Sequence, residues 1–390
     1  MYKILTLNPI SVKGLERFSR DRYEVASEIG HPDAILVRSA KVTETHLTPT
    51  LKAIARAGAG TDNIPIPLCN DRGIPVFNAP GANANAVKEL VLAGMLSASR
   101  NILEGVAYVR DLGAKKHSPE ELHKLVEGGK KKFAGLELRG KTLGVAGLGA
   151  IGSLVAEMGL SMGMHVLGYD PAISVDAAWR LSSEVQRMDN LASLLAKSDF
   201  VSLHLPLIPQ TKMLINEESL GWVKKGAVLV NFSRDEVVDN QAAAKALDSG
   251  RLSRFVTDFP HASLMGRPDV MATPHLGAST EEAEENCALM AANQLIDFLE
   301  NGNIVNSVNF PRLVLERSSQ YRIAVVNRNV AKMLGKVTNV LADFNLNVVD
   351  MLNKSRDDIA YNLIDVESAP PLEVIAAMEQ VEGVICARLL

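Results

Sequence analysis

The stretch TLGVAGLGAIGSLVAEMGLSMGMHVLGYD, residues 142–170, decides the fold of this chain. It reads as a strand, a glycine turn, a helix, a second strand and an acid. Gly147 permits the tight turn, Gly149 lets the backbone approach a pyrophosphate, and Gly152 lets the helix pack closely on the strand. Asp170 is placed to accept hydrogen bonds from a ribose diol. This arrangement predicts a dinucleotide site; the alternative is a glycine turn in an α/β domain without a ligand.

The residues around this turn favour NAD over NADP. Pro171 and Ala172 follow Asp170 directly, with no Arg or Lys, so a ribose 2′-phosphate would meet a negative charge. The start of the helix offers unpaired N–H groups and the positive end of its dipole to the phosphates. We therefore expect NAD as the cofactor.

Composition sets limits on class and partners. A chain of 390 residues, with 47% hydrophobic and 22% charged residues, predicts a globular protein of two or three domains. The net charge of -4 offers no basic field for nucleic acid or an anionic membrane. Cys69, Cys287 and Cys386 cannot all pair and lack metal-ligand spacing, which predicts reduced thiols and no metal site. With no signal peptide or membrane-spanning run, the sequence predicts a cytoplasmic protein.

Outside the quoted stretch, apolar runs predict further strands at 2–7, 33–38, 74–78, 199–205, 227–232, 253–258 and 270–273. Helices are expected between the first two strands, as one long element at 84–111, and at 279–301. Residues 117–132 are expected to form a loop with a solvated lysine run. Alternating strands and helices predict parallel sheets with helices on their faces.

The tail predicts a separate βαββαβ unit of the ferredoxin-like type. Its strands are expected at 321–327, 348–354, 359–367 and 384–389, and its helices at 332–345 and 372–380. Residues 303–320 are expected to form a linker. The predicted domains are 1–92, 93–277, a helix returning to the first domain at 278–305, and the tail at 320–390.

Several motifs follow one another in an order that is specific when they are taken together. They are VRSAK at 37–41, RAGAGTDNI at 56–64, VAGLGAIG at 145–152, VTDFP at 256–260, PHLGAST at 274–280, LNKSRDDIAYNLIDVE at 352–367 and GVICARLL at 383–390. In these motifs the chain resembles the D-2-hydroxyacid dehydrogenases, in particular the branch that oxidises 3-phosphoglycerate and carries a C-terminal ACT domain. The resemblance covers nearly the whole chain. It implies an α/β fold with two doubly wound Rossmann-like domains and a ferredoxin-like ACT domain.

The resemblance implies two catalytic residues. His275 matches the general acid/base that takes the C2 hydroxyl proton, a task suited to imidazole near neutral pH. Arg234 matches the arginine that orients the carboxylate and polarises the keto oxygen with its planar fork of donors. The alternatives are a histidine that caps a turn and an arginine in a surface ion pair with Asp235.

The resemblance also implies the binding residues. For NAD they are Gly147, Gly149, Ala150, Ile151, Gly152, Tyr169, Asp170, Pro206, Thr211, Asp258 and Gly277, with Asp258 on the nicotinamide side. For the substrate they are Arg38, Arg56, Gly58, Ala59, Gly60 and Asn83. The backbone N–H groups of the glycine turn suit a carboxylate, and the two arginines suit a phosphate. Either arginine could instead be a structural salt-bridge partner.

One departure from the family concerns the partner of the histidine. The family usually places a Glu a few residues after the acid matched by Asp258, where it hydrogen-bonds the catalytic histidine. Here His261, Ala262 and Ser263 follow Pro260, and no carboxylate occupies that place. If nothing replaces it, keto-acid reduction should be weakened more than hydroxy-acid oxidation.

The expected activity is NAD-dependent oxidation of 3-phosphoglycerate to 3-phosphohydroxypyruvate, the first step toward serine. The alternatives are another 2-hydroxy acid such as 2-hydroxyglutarate or glycerate, a non-catalytic NAD sensor, and an amino-acid sensor fused to a vestigial enzyme. The resemblance implies a homo-oligomer, a dimer or tetramer. Asn329 and Asn347 are candidates for holding L-serine at the ACT domain, although Ala331-Lys332 replace the usual Pro-Gly; the alternative is a mainly assembly role.

Overall fold

The computed structural model describes the backbone of residues 1–390 and every side chain except that of Asp176. The strands are β1 (Tyr2–Thr6), β2 (Tyr23–Ala26), β3 (Ala34–Val37), β4 (Ala53–Arg56), β5 (Val76–Phe77), β6 (Thr142–Ala146), β7 (His165–Tyr169), β8 (Gln186–Arg187), β9 (Phe200–Leu203), β10 (Ala227–Asn231), β11 (Leu252–Thr257), β12 (Val270–Ala272), β13 (Tyr321–Arg328), β14 (Val348–Arg356), β15 (Ile359–Val366) and β16 (Val384–Leu389).

The helices are α1 (Val12–Leu15), α2 (Ile66–Asp71), α3 (Ala84–Arg100), α4 (Ile102–Gly113), α5 (Pro119–Gly129), α6 (Ala150–Ser161), α7 (Val175–Trp179), α8 (Leu191–Lys197), α9 (Glu217–Trp222), α10 (Asn240–Asp248), α11 (Glu281–Asn301), α12 (Met333–Asp343) and α13 (Leu372–Glu379). The chain divides into two compact units. The first unit contains Met1–Asn83 and Glu281–Leu390, and the second contains Ala84–Thr280.

The second unit is built on a parallel sheet with strand order β12-β11-β10-β9-β6-β7-β8. Both faces of this sheet are covered by apolar clusters, one around Leu194, Leu229 and Phe255 and the other around Met95 and Val230. Coverage on both faces explains why the strands read as continuous apolar runs. The strand order reverses next to β6, and ligands bind at such a switch point.

The first unit carries two sheets. A five-stranded parallel sheet has the order β2-β1-β3-β4-β5, and an antiparallel sheet has the order β14-β15-β13-β16. The two parallel sheets and the antiparallel ferredoxin-like sheet confirm the predicted fold class. One apolar core joins both sheets of the first unit, with Phe77 and Leu295 packed in the same cluster as Val326 and Tyr361.

A buried ion pair reinforces this packing. Arg322 and Asp365 are both fully buried, and the guanidinium donates to both carboxylate oxygens, at 2.6 and 2.9 Å. It also donates to the carbonyl oxygens of Asn301, Leu315 and Glu316, so all its donors are used. Burial alone would raise the pKa of Asp365, but the hydrogen bonds from Arg322 and Ser318 outweigh burial and hold the pKa below its usual value.

Residues 303–320 lack helices and strands apart from isolated bridges, as a linker should. They are nevertheless packed, since Ile304, Phe310 and Leu313 are almost completely buried in the core of the first unit. The segment therefore holds the antiparallel sheet against the rest of the unit.

Three sequence predictions were wrong. The segment between β1 and β3, expected to be only helical, contains the short helix α1 and also the strand β2, which was not predicted. The long helix at 84–111 is broken at Asn101, whose φ of 49° is left-handed. The expected loop at 117–132 contains α5, which a capping box between Ser118 and Glu121 begins. The lysines of that segment are exposed, as predicted.

Candidate active site

Three neighbouring strands of the second unit bring the candidate catalytic groups to one edge of the sheet. Arg234 follows β10, Asp258 follows β11 and His275 follows β12. The strands pair in parallel, with Asn231 opposite Thr257 and Thr257 opposite Ala272. Because the carboxyl ends of parallel strands share an edge, the guanidinium and the imidazole belong to the same region of the molecule.

Asp258 organises the loop that carries the histidine. Its side chain is only 1% exposed. One carboxylate oxygen accepts hydrogen bonds from Thr273 Oγ1 (2.6 Å) and Leu276 N (2.7 Å), and the other accepts one from Gly277 N (2.7 Å). The carboxylate therefore fixes the conformation of residues 273–277; its expected contact with nicotinamide stays a prediction.

His275 is exposed at the tip of this loop with a left-handed φ of 56°. The backbone N–H of His275 donates to the carbonyl oxygens of both Asp258 and Thr273, with N···O distances of 3.0 Å. The imidazole meets the ring of Phe259 edge-on, with centroids 5.1 Å apart. Across the described part of the chain, no carboxylate hydrogen-bonds this imidazole, and Asp269 is bound by Arg267 instead. In this chain the described contact of the imidazole is therefore with an aromatic ring.

Arg234 is half-buried and held at its base. Asn231 Nδ2 donates to the Arg234 carbonyl (2.9 Å), and Arg234 Nη1 donates to the Ser233 carbonyl (2.7 Å). Asp235 accepts a hydrogen bond from Asn240, and among the described residues no ion pair involves Arg234. In this structure Arg234 therefore does not form the ion pair with Asp235 that was the alternative.

The glycine turn after β6 fits a dinucleotide. Gly147 has a φ of 89°, and a Cβ there would lie 2.3 Å from the carbonyl oxygen of His204. A Cβ on Gly152 would lie 1.8 Å from the carbonyl oxygen of Gly147, so both positions require glycine. A Cβ on Gly149 would enter open space, where the first residues of α6 leave room for a phosphate.

The remaining cofactor candidates lie at the end of β7, at the start of α6 and on loops that follow strands of this sheet. The carboxylate of Asp170 accepts from Leu148 N and Ala172 N, both at 2.9 Å, so it braces the glycine turn from the end of β7. Thr211 Oγ1 donates to the Pro206 carbonyl and closes the loop after β9. Tyr169 and Ile151 are half-buried, Ala150 is exposed, and Gly277 is buried.

The first unit presents the predicted phosphate-binding arginines at the ends of two adjacent strands: Arg38 directly follows β3, and Arg56 is the last residue of β4. Arg56 Nε donates to the Arg38 carbonyl (2.9 Å), so the two residues are in direct contact. Arg38 Nη2 lies 2.7 Å from Glu284 Oε1, on the first turn of α11. The salt-bridge alternative therefore holds for Arg38 in this structure, and any phosphate there meets Glu284 as well.

The turn Gly58–Gly60 lies beside these arginines. A Cβ on Gly58 would lie 2.7 Å from Arg56 Nη1, and Gly58 O accepts from Ala79 N. The carbonyl of Ala59 accepts a hydrogen bond from Asn78 (2.6 Å). Asn83 is half-buried at the end of the first part of this unit.

Asn329 and Asn347 are not brought together within one chain. They flank α12, whose 11 residues span about 16 Å. Asn329 donates to the Asp357 carbonyl, and Asn347 donates to Glu367. Lys332, where the usual motif has glycine, has a φ of 71° and so keeps a glycine-like backbone.

Sequence reasoning missed the contacts of Phe259, Asn231 and Glu284, and it missed the loop-organising role of Asp258. Phe259 and Asp258 stand together in the VTDFP motif, which could have signalled a structural role. Nothing local marks Glu284 as a partner of Arg38, because its place in an acidic first turn already satisfies the helix dipole.

The described residues contain no group of three or more His, Cys, Asp or Glu side chains that could hold a metal ion. No described helix has both the length and the apolar composition needed to cross a bilayer.

The chain is similar to known proteins in both sequence and structure. Residues 92–277 match the family described as D-isomer specific 2-hydroxyacid dehydrogenase, NAD binding domain. The chain is 33% identical to the D-3-phosphoglycerate dehydrogenase of Methanocaldococcus jannaschii, over 90% of this chain and 67% of that protein. It is also 33% identical to the D-3-phosphoglycerate dehydrogenase of Dictyostelium discoideum, over 100% of this chain and 97% of that protein.

Solved structures agree with these relatives. The NAD⁺-bound 3-phosphoglycerate dehydrogenase of Entamoeba histolytica has 28% sequence identity and a TM-score of 0.62, covering 80% of this chain and 99% of its own. These similarities concern both the sequence and the arrangement of the elements.

Proposed function

The chain belongs to the D-isomer-specific 2-hydroxyacid dehydrogenase family, and on this premise we propose that it oxidises D-3-phosphoglycerate to 3-phosphohydroxypyruvate with NAD. It is an NAD-dependent oxidoreductase. The observation that carries the proposal is the placement of Arg234 after β10 and of His275 after β12, the two strands that flank β11, at the sheet edge that also holds the glycine turn. We propose the start of serine synthesis as the place of this reaction.

Within the second unit, the residues that would hold NAD are those of the glycine turn, the start of α6 and Asp170. NAD, when bound, supplies the acceptor for the hydride that leaves the substrate C2. His275 takes the C2 hydroxyl proton on an imidazole nitrogen, a step that contributes roughly 10²–10⁴-fold in comparable enzymes. Arg234 binds the substrate carboxylate and stabilises charge on the C2 oxygen with parallel N–H donors.

Asp258 and Phe259 act on this chemistry through the histidine. The buried carboxylate of Asp258 fixes the loop, and the ring of Phe259 limits the orientations of the imidazole. No carboxylate hydrogen-bonds the imidazole in the described structure. The expectation that keto-acid reduction is weakened more than hydroxy-acid oxidation therefore stays part of the proposal.

In the first unit, Arg38 and Arg56 are the proposed phosphate donors, because they are adjacent cations at the ends of neighbouring parallel strands. The turn Gly58–Gly60 supplies backbone N–H groups, and Asn83 an amide, for the rest of the substrate. A phosphorylated substrate should therefore be preferred to glycerate or 2-hydroxyglutarate.

The test is NADH formation by the full chain with NAD and each of D-3-phosphoglycerate, D-glycerate and D-2-hydroxyglutarate. The proposal predicts a kcat/KM for the phosphorylated acid that is higher by about 100-fold, as expected for a lost pair of charge-assisted hydrogen bonds. Equal values would contradict recognition of the phosphate, and a higher value for D-glycerate or D-2-hydroxyglutarate would assign that acid as the substrate. NAD binding without NADH formation from any of the three would favour a non-catalytic sensor.

We also propose a homo-oligomer, a dimer or tetramer, and a cytoplasmic location that suits its free cysteines. Since Asn329 and Asn347 flank α12, a second copy would be needed to bring two such amides to one molecule of L-serine. Sedimentation and activity measured with and without L-serine test this point. Inhibition that Asn347→Ala abolishes would support an effector role, and assembly without inhibition would support a purely structural one.

A further inference from the structure

A cavity in the first unit lies apart from the candidate catalytic and substrate residues. It has a volume of about 360 Å³ and is enclosed by residues 49–52 on one side and by β13 and β16 of the antiparallel sheet on the other. Ala324, Val326 and the ring of Phe298 supply apolar wall. This volume lies in the range of sites that hold small organic molecules.

The charged groups in the wall are mostly neutralised by partners. Lys52 is paired with Asp33 at 2.5 Å, and Arg72 is paired with Glu44 at 3.0 Å. Arg388 is different, since among the described residues no carboxylate forms an ion pair with it. The cavity therefore contains a guanidinium that no described carboxylate binds directly.

Contacts with neighbouring residues position Arg388 and leave some of its N–H donors unused. Its guanidinium carbon lies 4.0 Å from the centre of the Phe298 ring, and Nη2 donates to the Phe298 carbonyl at 2.6 Å. It also contacts Tyr361, whose hydroxyl donates to the Gly302 carbonyl. The guanidinium of Arg388 is planar and has further N–H donors, and this group is the one best suited to bind a carboxylate.

A second wall residue limits the charge of the ligand. Glu379 lines the same cavity, and no described cation pairs with it. Its negative charge opposes a second negative charge on a ligand.

The thiol of Cys386 also lines the cavity. Burial raises the pKa of this thiol to about 11, so it stays neutral.

We propose that this cavity binds a small molecule with one carboxylate and a short apolar body. The carboxylate pairs with Arg388, and the apolar body lies against Phe298, Val326 and Ala324. The molecule is either a free carboxylic acid or an amino acid, since both carry the group that Arg388 recognises. Because the walls come from the antiparallel sheet, from α11 and from loops that flank the strands of the parallel sheet, a bound ligand stabilises the packing of these elements.

The test uses calorimetry and thermal unfolding of the full chain with matched probes. Isovalerate should bind and raise the Tm, whereas isovaleramide, which has the same shape without the charge, should not. Glutarate, with a second carboxylate, should bind more weakly than isovalerate. L-valine adds an ammonium group to the isovalerate skeleton, and its affinity relative to isovalerate separates the amino-acid source from the free acid.

Arg388→Gln should weaken binding of isovalerate or L-valine by at least about tenfold, the loss of one charge-assisted contact. Arg20→Gln, at an exposed arginine of the same unit, should leave binding unchanged. Glu379→Gln should remove the preference for isovalerate over glutarate. The proposal is overturned if no carboxylate binds, if isovaleramide binds equally well, or if R388Q binds normally. Should R388Q fail to fold, an unchanged preference in E379Q overturns it.

Discussion

Arg38 and Glu284 form an ion pair, with Nη2 and Oε1 2.7 Å apart, at the position where the substrate phosphate is proposed to bind. Both side chains are partly exposed, so the pair is weak, and a phosphate dianion can compete with the carboxylate for the arginine. Glu284 then lowers the affinity for phosphorylated substrates.

Glu284→Gln should therefore lower the KM for D-3-phosphoglycerate by about two- to fivefold, as expected for a surface pair worth under about 1 kcal/mol. The KM for D-glycerate should not change, because that molecule has no phosphate. Glu285→Gln is the matched control, since Glu285 pairs with Lys13 instead. An equal effect on both substrates would show that Glu284 acts on something other than the phosphate.

Asp258→Asn should destabilise the loop that carries His275. The carboxylate accepts hydrogen bonds from Thr273, Leu276 and Gly277, and an amide nitrogen in place of one oxygen would face N–H or O–H donors. We expect a loss of about 2–3 kcal/mol in the free energy of unfolding and a fall in kcat larger than the change in KM. Normal kcat in a stable variant would mean that the loop does not depend on this carboxylate.

Arg322→Met should cost about 3–5 kcal/mol in the free energy of unfolding, because it leaves Asp365 buried without its partner. The double variant Arg322→Met, Asp365→Leu should recover part of this loss. Urea unfolding of the two variants and the parent chain measures the difference.

Because the pKa of Asp365 is lowered in the folded state, the stability that it contributes is lost as the pH falls below 3.8.

His204 should make the fold sensitive to mild acid. Burial lowers the pKa of this imidazole from 6.5 to about 3. Between these values the unfolded chain binds a proton that the folded chain does not, so the free energy of unfolding falls as the pH falls. The expected slope is about 1 kcal/mol per pH unit.

His204→Asn should remove this slope, whereas His165→Asn, at an exposed histidine, should keep it. Unfolding in urea at about pH 7 and about pH 5 gives the comparison. A parent chain whose stability is the same at both values would contradict the buried, neutral imidazole.

The sequence predicted best where local signals were dense. The predicted bounds of β6 and β7 agree with the structure. Each strand is a short apolar run with a clear end, since β6 stops at the glycine turn and β7 stops at the acid Asp170. By contrast, β2 is a four-residue edge strand, too short for its alternation to be distinguished from a helix. The double glycine at 128–129 and the lysine run concealed the capping box that begins α5.

In the site, motifs identified the chemical groups but not their partners. The sequence predicted that the helix at 278–305 returns to the first domain, but nothing near Arg38 predicts that this helix places Glu284 beside it. The missing Glu after Asp258 was visible from the sequence, but the edge-on Phe259 ring depends on the left-handed turn at His275. Such contacts arise from the tertiary arrangement, and the spacing of apolar residues in the sequence does not predict them.

The central claim is that His275 transfers the substrate proton at the edge of the sheet where Arg234 also lies. The most direct measurement is the rate of NADH formation from D-3-phosphoglycerate by His275→Asn beside the parent chain. We predict a kcat lower by about 10²–10⁴-fold with NAD binding unchanged. A variant that keeps the parental kcat would contradict the assignment of the imidazole and, with it, the proposed reaction.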